Sequence, residues 1–136
     1  MTTITSISAE ETWPIRHQVM WPKQHQDFVK LPNDEHGRHF ELFLGTQLVS
    51  VISIFTENNK AQFRKFATLQ EHQGKGFGTR LLSEIMRIAE QEKISKIWCN
   101  ARSTKTDYYM KFGMKRTETT FTKAGIDYIF MERNFY

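Results

Sequence analysis

Three glycines within five residues, set in Gln73-Gly74-Lys75-Gly76-Phe77-Gly78-Thr79-Arg80, constrain this chain more than any other stretch because of what flanks them. Upstream, Ala61 to Thr68 reads as a strand; downstream, Leu81, Leu82, Ile85, Ile88 and Ala89 recur at helical spacing. A strand feeding a glycine loop that opens a helix makes an anion site. The loop amides and first-turn N–H groups lack intrachain acceptors and point at one spot. Glycine permits the backbone angles and the close approach that side chains forbid. The expected guest is a phosphorylated cofactor.

Three glycine-loop patterns compete for this stretch. A P-loop needs a Gly-Lys followed by Ser or Thr, which is absent here. A dinucleotide fingerprint needs two residues between its second and third glycines, whereas Gly76 and Gly78 are separated by one. The third pattern is Gln or Arg, two residues, Gly, one residue, then Gly or Ala, and Gln73, Gly76 and Gly78 satisfy it. In this the stretch resembles the pyrophosphate loop of the GNAT N-acetyltransferase superfamily. A glycine helix cap without a ligand remains the alternative for the loop alone.

The resemblance extends along nearly the whole chain. Arg64 to Gly76 looks like the family's fourth strand and loop in unbroken register. Tyr108-Tyr109-Met110-Lys111-Phe112-Gly113-Met114 resembles its tyrosine, four residues before a glycine-hydrophobe pair. Ala124-Gly125-Ile126-Asp127 with Met131 is similar to its closing hairpin, and Ile15 to Pro22 to the first-helix segment of small bacterial members. The resemblance implies one N-acetyltransferase domain over residues 1–136. Its fold would be α+β (αβα-layered), with a mixed, mostly antiparallel central sheet flanked by helices.

A chain of 136 residues fits a single core. No apolar run approaches a membrane span, and Met1 to Thr5 lacks the basic-then-apolar pattern of a signal peptide. A lone cysteine, Cys99, excludes an internal disulfide and suits a reducing cytoplasm. The net charge of +4 is spread along the sequence. It suits a highly anionic small cofactor, and no nucleic-acid-binding signature accompanies it.

Read along its length, the chain starts with a strand at Thr2 to Ser6. Ser8 and Glu11 form a capping box, but Pro14 then falls deep in the helix, so a helix restarting near Trp13 is expected. Trp21-Pro22 ends it, and Lys23 to Arg38 reads as loop with a short helix. His39–Leu44 and Gln47–Phe55 read as a hairpin, Glu57 to Lys60 as a turn, and the loop helix as ending near Glu92. A short strand at Lys96 to Asn100, a helix at Thr104 to Phe112 capped by Gly113, and a hairpin about Lys123-Ala124-Gly125 complete the order.

In this family an amine attacks the thioester carbonyl of acetyl-CoA directly. The resemblance implies that the amides of Gly74 to Thr79 hold the pyrophosphate, with Gln73 and Phe77 in the same segment. Lys75 and Arg80 would add side-chain charge. Backbone at Phe66, Ala67 and Thr68 would pair with pantetheine and polarise the thioester oxygen, an oxyanion-hole role. Asn100, at a strand end, could bond to the cofactor or be a plain strand-end residue. Tyr109 is the candidate acid for the leaving thiolate, because an ordinary phenol stays protonated at neutral pH; Tyr108 reads as a pocket-wall aromatic.

The base is where the chain departs from its relatives. The histone-acetyltransferase branch has a glutamate where this sequence has Gln62, which cannot take a proton. Glu57, Glu71, His72, Asp107 and Glu118 are replacements of which none stands out. Among the histidines, His36 and His39 have an i, i+3 spacing but no carboxylate scaffold, and no metal is expected. Trp21 to Arg38 and the final hairpin should select the acceptor, a small-molecule or peptide amine. An acyl-CoA-binding module without transfer, and an adaptor domain without CoA, are the rival readings. The apolar strand Tyr128-Ile129-Phe130-Met131 could pair two copies as a homodimer.

Overall fold

In the computed structural model, which describes residues 1–135, the chain is α+β. Seven strands hydrogen-bond in the order β1-β2-β3-β4-β5-β7-β6, mostly antiparallel. They are β1 Thr2–Ile7, β2 Arg38–Leu44, β3 Gln47–Glu57, β4 Lys60–Thr68, β5 Lys96–Arg102, β6 Lys115–Lys123 and β7 Ile126–Asn134. Three α-helices accompany them, α1 Ala9–Ile15, α2 Phe77–Gln91 and α3 Thr106–Met110. The chain divides into two compact units, Met1–Phe55 with Arg64–Ile85, and Thr56–Phe63 with Met86–Tyr136. No helix among the described residues is long and apolar enough to cross a membrane.

The first unit is built on the β1–β2–β3 meander. Ile7, His39 and Ser53 lie opposite one another across the three strands, as do Thr5, Glu41 and Val51. Ile15, Val51, Ala67 and Leu69 form a buried cluster with Ile7, Val19, Met20 and Leu48 packed on it. α1 opens where expected, with Ser8 N–H and Oγ both donating to Glu11 Oε1. It does not restart near Trp13. Pro14 lies inside α1, one residue before its end, and the chain continues as a π-helical turn over Arg16–Met20. A proline N-lacking its hydrogen cannot bond the preceding turn, and such interruptions are where helices widen. The Lys23 to Arg38 stretch holds two 3-10 turns, Gln26–Val29 and Asp34–His36.

In the second unit, the first residues of β4 pair in parallel with β5, Lys60 with Lys96 through Gln62 with Trp98. The turn before β4 uses Asn58 and Asn59, both at positive φ (53° and 62°), a pair that asparagine tolerates in a two-residue hairpin. β5 is longer than expected and pairs throughout with β7, from Lys96 opposite Asn134 to Arg102 opposite Tyr128. β7 is therefore flanked by β5 on one side and β6 on the other. This corrects the expectation that Tyr128 to Met131 offers a free edge: β7 is an inner strand, and the edge strands are β1 and β6.

Candidate functional site

The glycine loop lies in the first unit, between β4 and α2. A 3-10 turn at Gln70–His72 brings the chain off the strand, and the Gln73 side chain donates back to Thr68 O at 2.9 Å. Gln73 thus fastens the loop to the strand it leaves. Gly74 and Gly76 have φ of +76° and +86°, and a Cβ built on either meets nothing within 4 Å. Their glycine character is demanded by backbone conformation, while the space over them is open to a bound group. Gly78 is glycine for the opposite reason, since a Cβ there would come within 3.1 Å of Thr68 Oγ1 and 3.2 Å of Phe66 Cζ. It lets the first turn of α2 lie against β4.

Arg80 N–H donates to Gly76 O at 3.0 Å, so Phe77 and Gly78 occupy the turn whose amides a helix leaves without internal acceptors. Thr79, Lys75 and Arg80 are exposed, and the Phe77 ring meets His72 edge-on at 5.8 Å. The residues present fit an anionic cofactor: an open cradle, forward-pointing amides and two exposed cations.

Phe66, Ala67 and Thr68 close β4. Lys65 immediately before them has φ of +54°, a left-handed residue inside a strand and the mark of a bulge. Ala67 is buried in the cluster with Ile15, and its carbonyl accepts from Ser50 Oγ at 3.1 Å; Ser50 Oγ also lies 2.9 Å from Thr68 Oγ1. The bulged segment is held from behind by one serine.

Tyr109 and Asn100 belong to the second unit. Tyr109, half-buried in α3, packs its ring 5.7 Å from Phe63 and 5.4 Å from Tyr108, which in turn meets Phe112 at 5.3 Å. Burial, then the neighbouring Cys99 and Tyr108, pushes its phenol well above the usual range, so it stays protonated. Asn100 is not at a strand end: β5 runs on to Arg102, and Asn100 sits exposed opposite Phe130. Burial pushes the Cys99 thiol up to about 12, which keeps it from acting as a thiolate.

The candidate bases divide between the units, Glu71 and His72 in the first and Glu57, Asp107 and Glu118 in the second. Glu57, Glu71 and Glu118 are exposed, Asp107 pairs with Arg116 at 2.9 Å, and His72 Nδ1 is buried with no partner. His36 and His39 do not converge on a cation. His36 is exposed beside Glu35, whereas both ring nitrogens of His39 are occupied, by Ser53 Oγ at 2.7 Å and Asp34 O at 2.8 Å. Among the described residues no three His, Cys, Asp or Glu gather as a metal would require.

Sequence reasoning missed a buried polar knot in the first unit. Arg16, fully buried, donates from Nη1 and Nη2 to the two Asp34 carboxylate oxygens at 2.9 and 3.0 Å, to Val29 O at 3.0 Å and to Ser53 Oγ at 2.8 Å. Asp34 also accepts from Trp13 Nε1 and Leu31 N–H, both at 3.0 Å. Its burial works to raise the carboxyl's pKa, but the Arg16, Leu31 and Trp13 donors outweigh that and hold it below the ordinary value. The available signal was Arg16 itself, a cation one residue from Ile15 and three from Val19 on the apolar side of its helix.

Residues 6–135 match the family model of the acetyltransferase (GNAT) domain. The chain is 29% identical over 135 residues to the uncharacterized N-acetyltransferase YitI of Bacillus subtilis, covering 93% of this chain and 91% of that one. The ribosomal-protein-S18-alanine N-acetyltransferase of Escherichia coli superposes with a TM-score of 0.83 at 16% identity, covering 98% of this chain and 94% of the other. The PaiA N-acetyltransferase of Thermoplasma acidophilum, solved in complex with coenzyme A, gives 0.74 at 18% identity over 99% of both.

Proposed function

The chain belongs to the GNAT acetyltransferase family, which binds acyl-CoA and whose general reaction is acetyl transfer, and on that premise we propose that it moves an acetyl group from acetyl-CoA to a primary amine by direct attack. The observation that carries this reading is the open loop at Gly74 and Gly76, aimed by α2 and fastened to β4 through Gln73. On this reading residues 1–136 serve as one domain. The pyrophosphate sits over the amides of Gly74 to Thr79, with Lys75 and Arg80 adding charge. Backbone groups of Phe66 to Thr68 align pantetheine and polarise the thioester oxygen.

The amine nitrogen attacks the carbonyl carbon, the C–S bond breaks, and the thiolate takes its proton from the Tyr109 hydroxyl. No acyl-enzyme is needed: the sole cysteine is buried and its thiol firmly protonated. With Gln62 in β4, the ammonium proton leaves through water rather than to a strand carboxylate. Asn100, exposed on β5, is a further cofactor contact. The acceptor is a small-molecule or peptide amine, the setting cytoplasmic, and any pairing of copies would use the β6 edge.

Titration calorimetry with acetyl-CoA tests the cofactor reading. Wild-type protein should bind with a Kd on the order of micromolar, about 8 kcal/mol, and Gly76→Trp should abolish binding by filling the cradle. Absence of binding to wild type would sink the proposal. The rival reading, an acyl-CoA-binding module that transfers nothing, is favoured by Gln62. Tyr109→Phe separates the two: transfer should fall by about 100-fold or more while cofactor affinity holds. A silent module would show no transfer in either protein.

A further inference from the structure

Arg64 stands half-buried in β4, two residues before Phe66, and its side chain makes no hydrogen bond or ion pair with any described residue. The charges that act on it are those of the Arg16–Asp34 knot: burial first, then Arg16, lowers its pKa, while Asp34 acts the other way. Asp34 is already committed to Arg16 through both carboxylate oxygens, which leaves Arg64 without an ion pair of its own. Arg16 cannot release that carboxylate, being wholly buried and still holding an Nε without a partner. A partly desolvated cation with no protein anion is costly to retain, and the group it lacks is negative.

That anion does not come from the cofactor. Going from Arg64 along β4, the chain passes Phe66 to Thr68 and then reaches the glycine loop. A strand rises about 3.3 Å per residue, so Arg64 lies about 7 Å before the thioester-aligning backbone and on the side away from the phosphates. We propose that the acceptor is an amine bearing an anionic group, a carboxylate or a phosphate, a few bonds from its nitrogen, and that Arg64 grips this group. Arg16 and Asp34 act as positioning residues that set the local field and hold the Leu31 to His36 turn. The inference rests on the acetyl-transfer reading and adds the acceptor's chemical class to it.

Matched amine pairs test it: phenylalanine against phenethylamine, lysine against cadaverine, and phosphoethanolamine against ethanolamine. Each is assayed for transfer with wild type, Arg64→Gln and Arg64→Lys, alongside calorimetric acetyl-CoA binding as the check on folding and on the cofactor site. Wild type should favour at least one acidic partner by about tenfold or more in kcat/KM. Arg64→Gln should cut the acidic substrate's kcat/KM about 100-fold, chiefly through KM, and erase the preference; Arg64→Lys should restore part of it. Which acidic series is preferred tells carboxylate from phosphate. If acetyl-CoA binds but the neutral partners win, or no acidic amine is turned over, or Arg64→Gln keeps the preference, this inference falls and the cofactor reading stands. If wild type binds no acetyl-CoA, both fall.

Discussion

The glycine loop and the Arg16–Asp34 knot lie in the same unit and are built by opposite means. The loop is made of backbone: two glycines at positive φ, a third admitting a close approach, and one glutamine amide tying it to its own strand. The knot is made of side chains from five separate places, Trp13, Arg16, Asp34, His39 and Ser53, each bonded to another member. A backbone site tolerates changes in what surrounds it and is undone by a bulky side chain in its mouth. A side-chain knot is undone by the loss of one partner, because the rest stay buried with their charges.

The largest effect that would test this contrast is in the knot. Asp34→Ala should cost about 3–5 kcal/mol in denaturant unfolding, since the Arg16 guanidinium is left buried without its carboxylate. Arg16→Met should cost clearly less, because Asp34 keeps the Trp13 and Leu31 donors and can take up a proton. Equal losses would break the asymmetry. Next in size is Gly76→Ala, which meets open space and so should lose only the conformational term, about 1–2 kcal/mol. A larger loss would mean the loop is crowded after all.

The smallest effect is electrostatic and has opposite signs at two carboxyls. Asp34 has a depressed pKa, so its contribution is present above the unfolded value and lost as pH falls through the folded one. Glu41, buried on β2 with Oε2 unpartnered, has its pKa raised by burial, with Thr5 opposing and Glu11 adding to the rise. Its contribution is present below the unfolded value and lost as pH rises through the folded one. Glu41→Gln should therefore raise the unfolding midpoint at about pH 7 and lose that advantage near pH 4, whereas Asp34→Asn should flatten the acid limb.

The same contrast explains what could be read in advance. The loop was legible because its determinants are contiguous: strand, glycines and helix stand in one stretch from Ala61 to Ala89. The hairpins were legible for the same reason, down to the Asn58-Asn59 turn. The knot was not, because Asp34 and Ser53 come together with Arg16 only after the meander and the 3-10 turns have formed. Pro14 misled because local propensity argues for a fresh helix start, while the Ser8–Glu11 cap and the burial of Ile15 carry α1 through it. The β7 edge misled because apolar alternation reports burial, not which strand lies beside it.

The left-handed residue at Lys65 has a consequence of parity. Arg64 and Ala67 stand three positions apart with the left-handed Lys65 between them, and the extra step of a bulge there carries both to one side of β4. An unbroken strand would send them to opposite sides. One extra backbone step lets this strand do two jobs toward one face: present a charge, then press a small methyl against the core. Removing a single residue there would exchange the two sides for everything beyond it. The length of β4 is thus as much a part of its chemistry as the letters it contains.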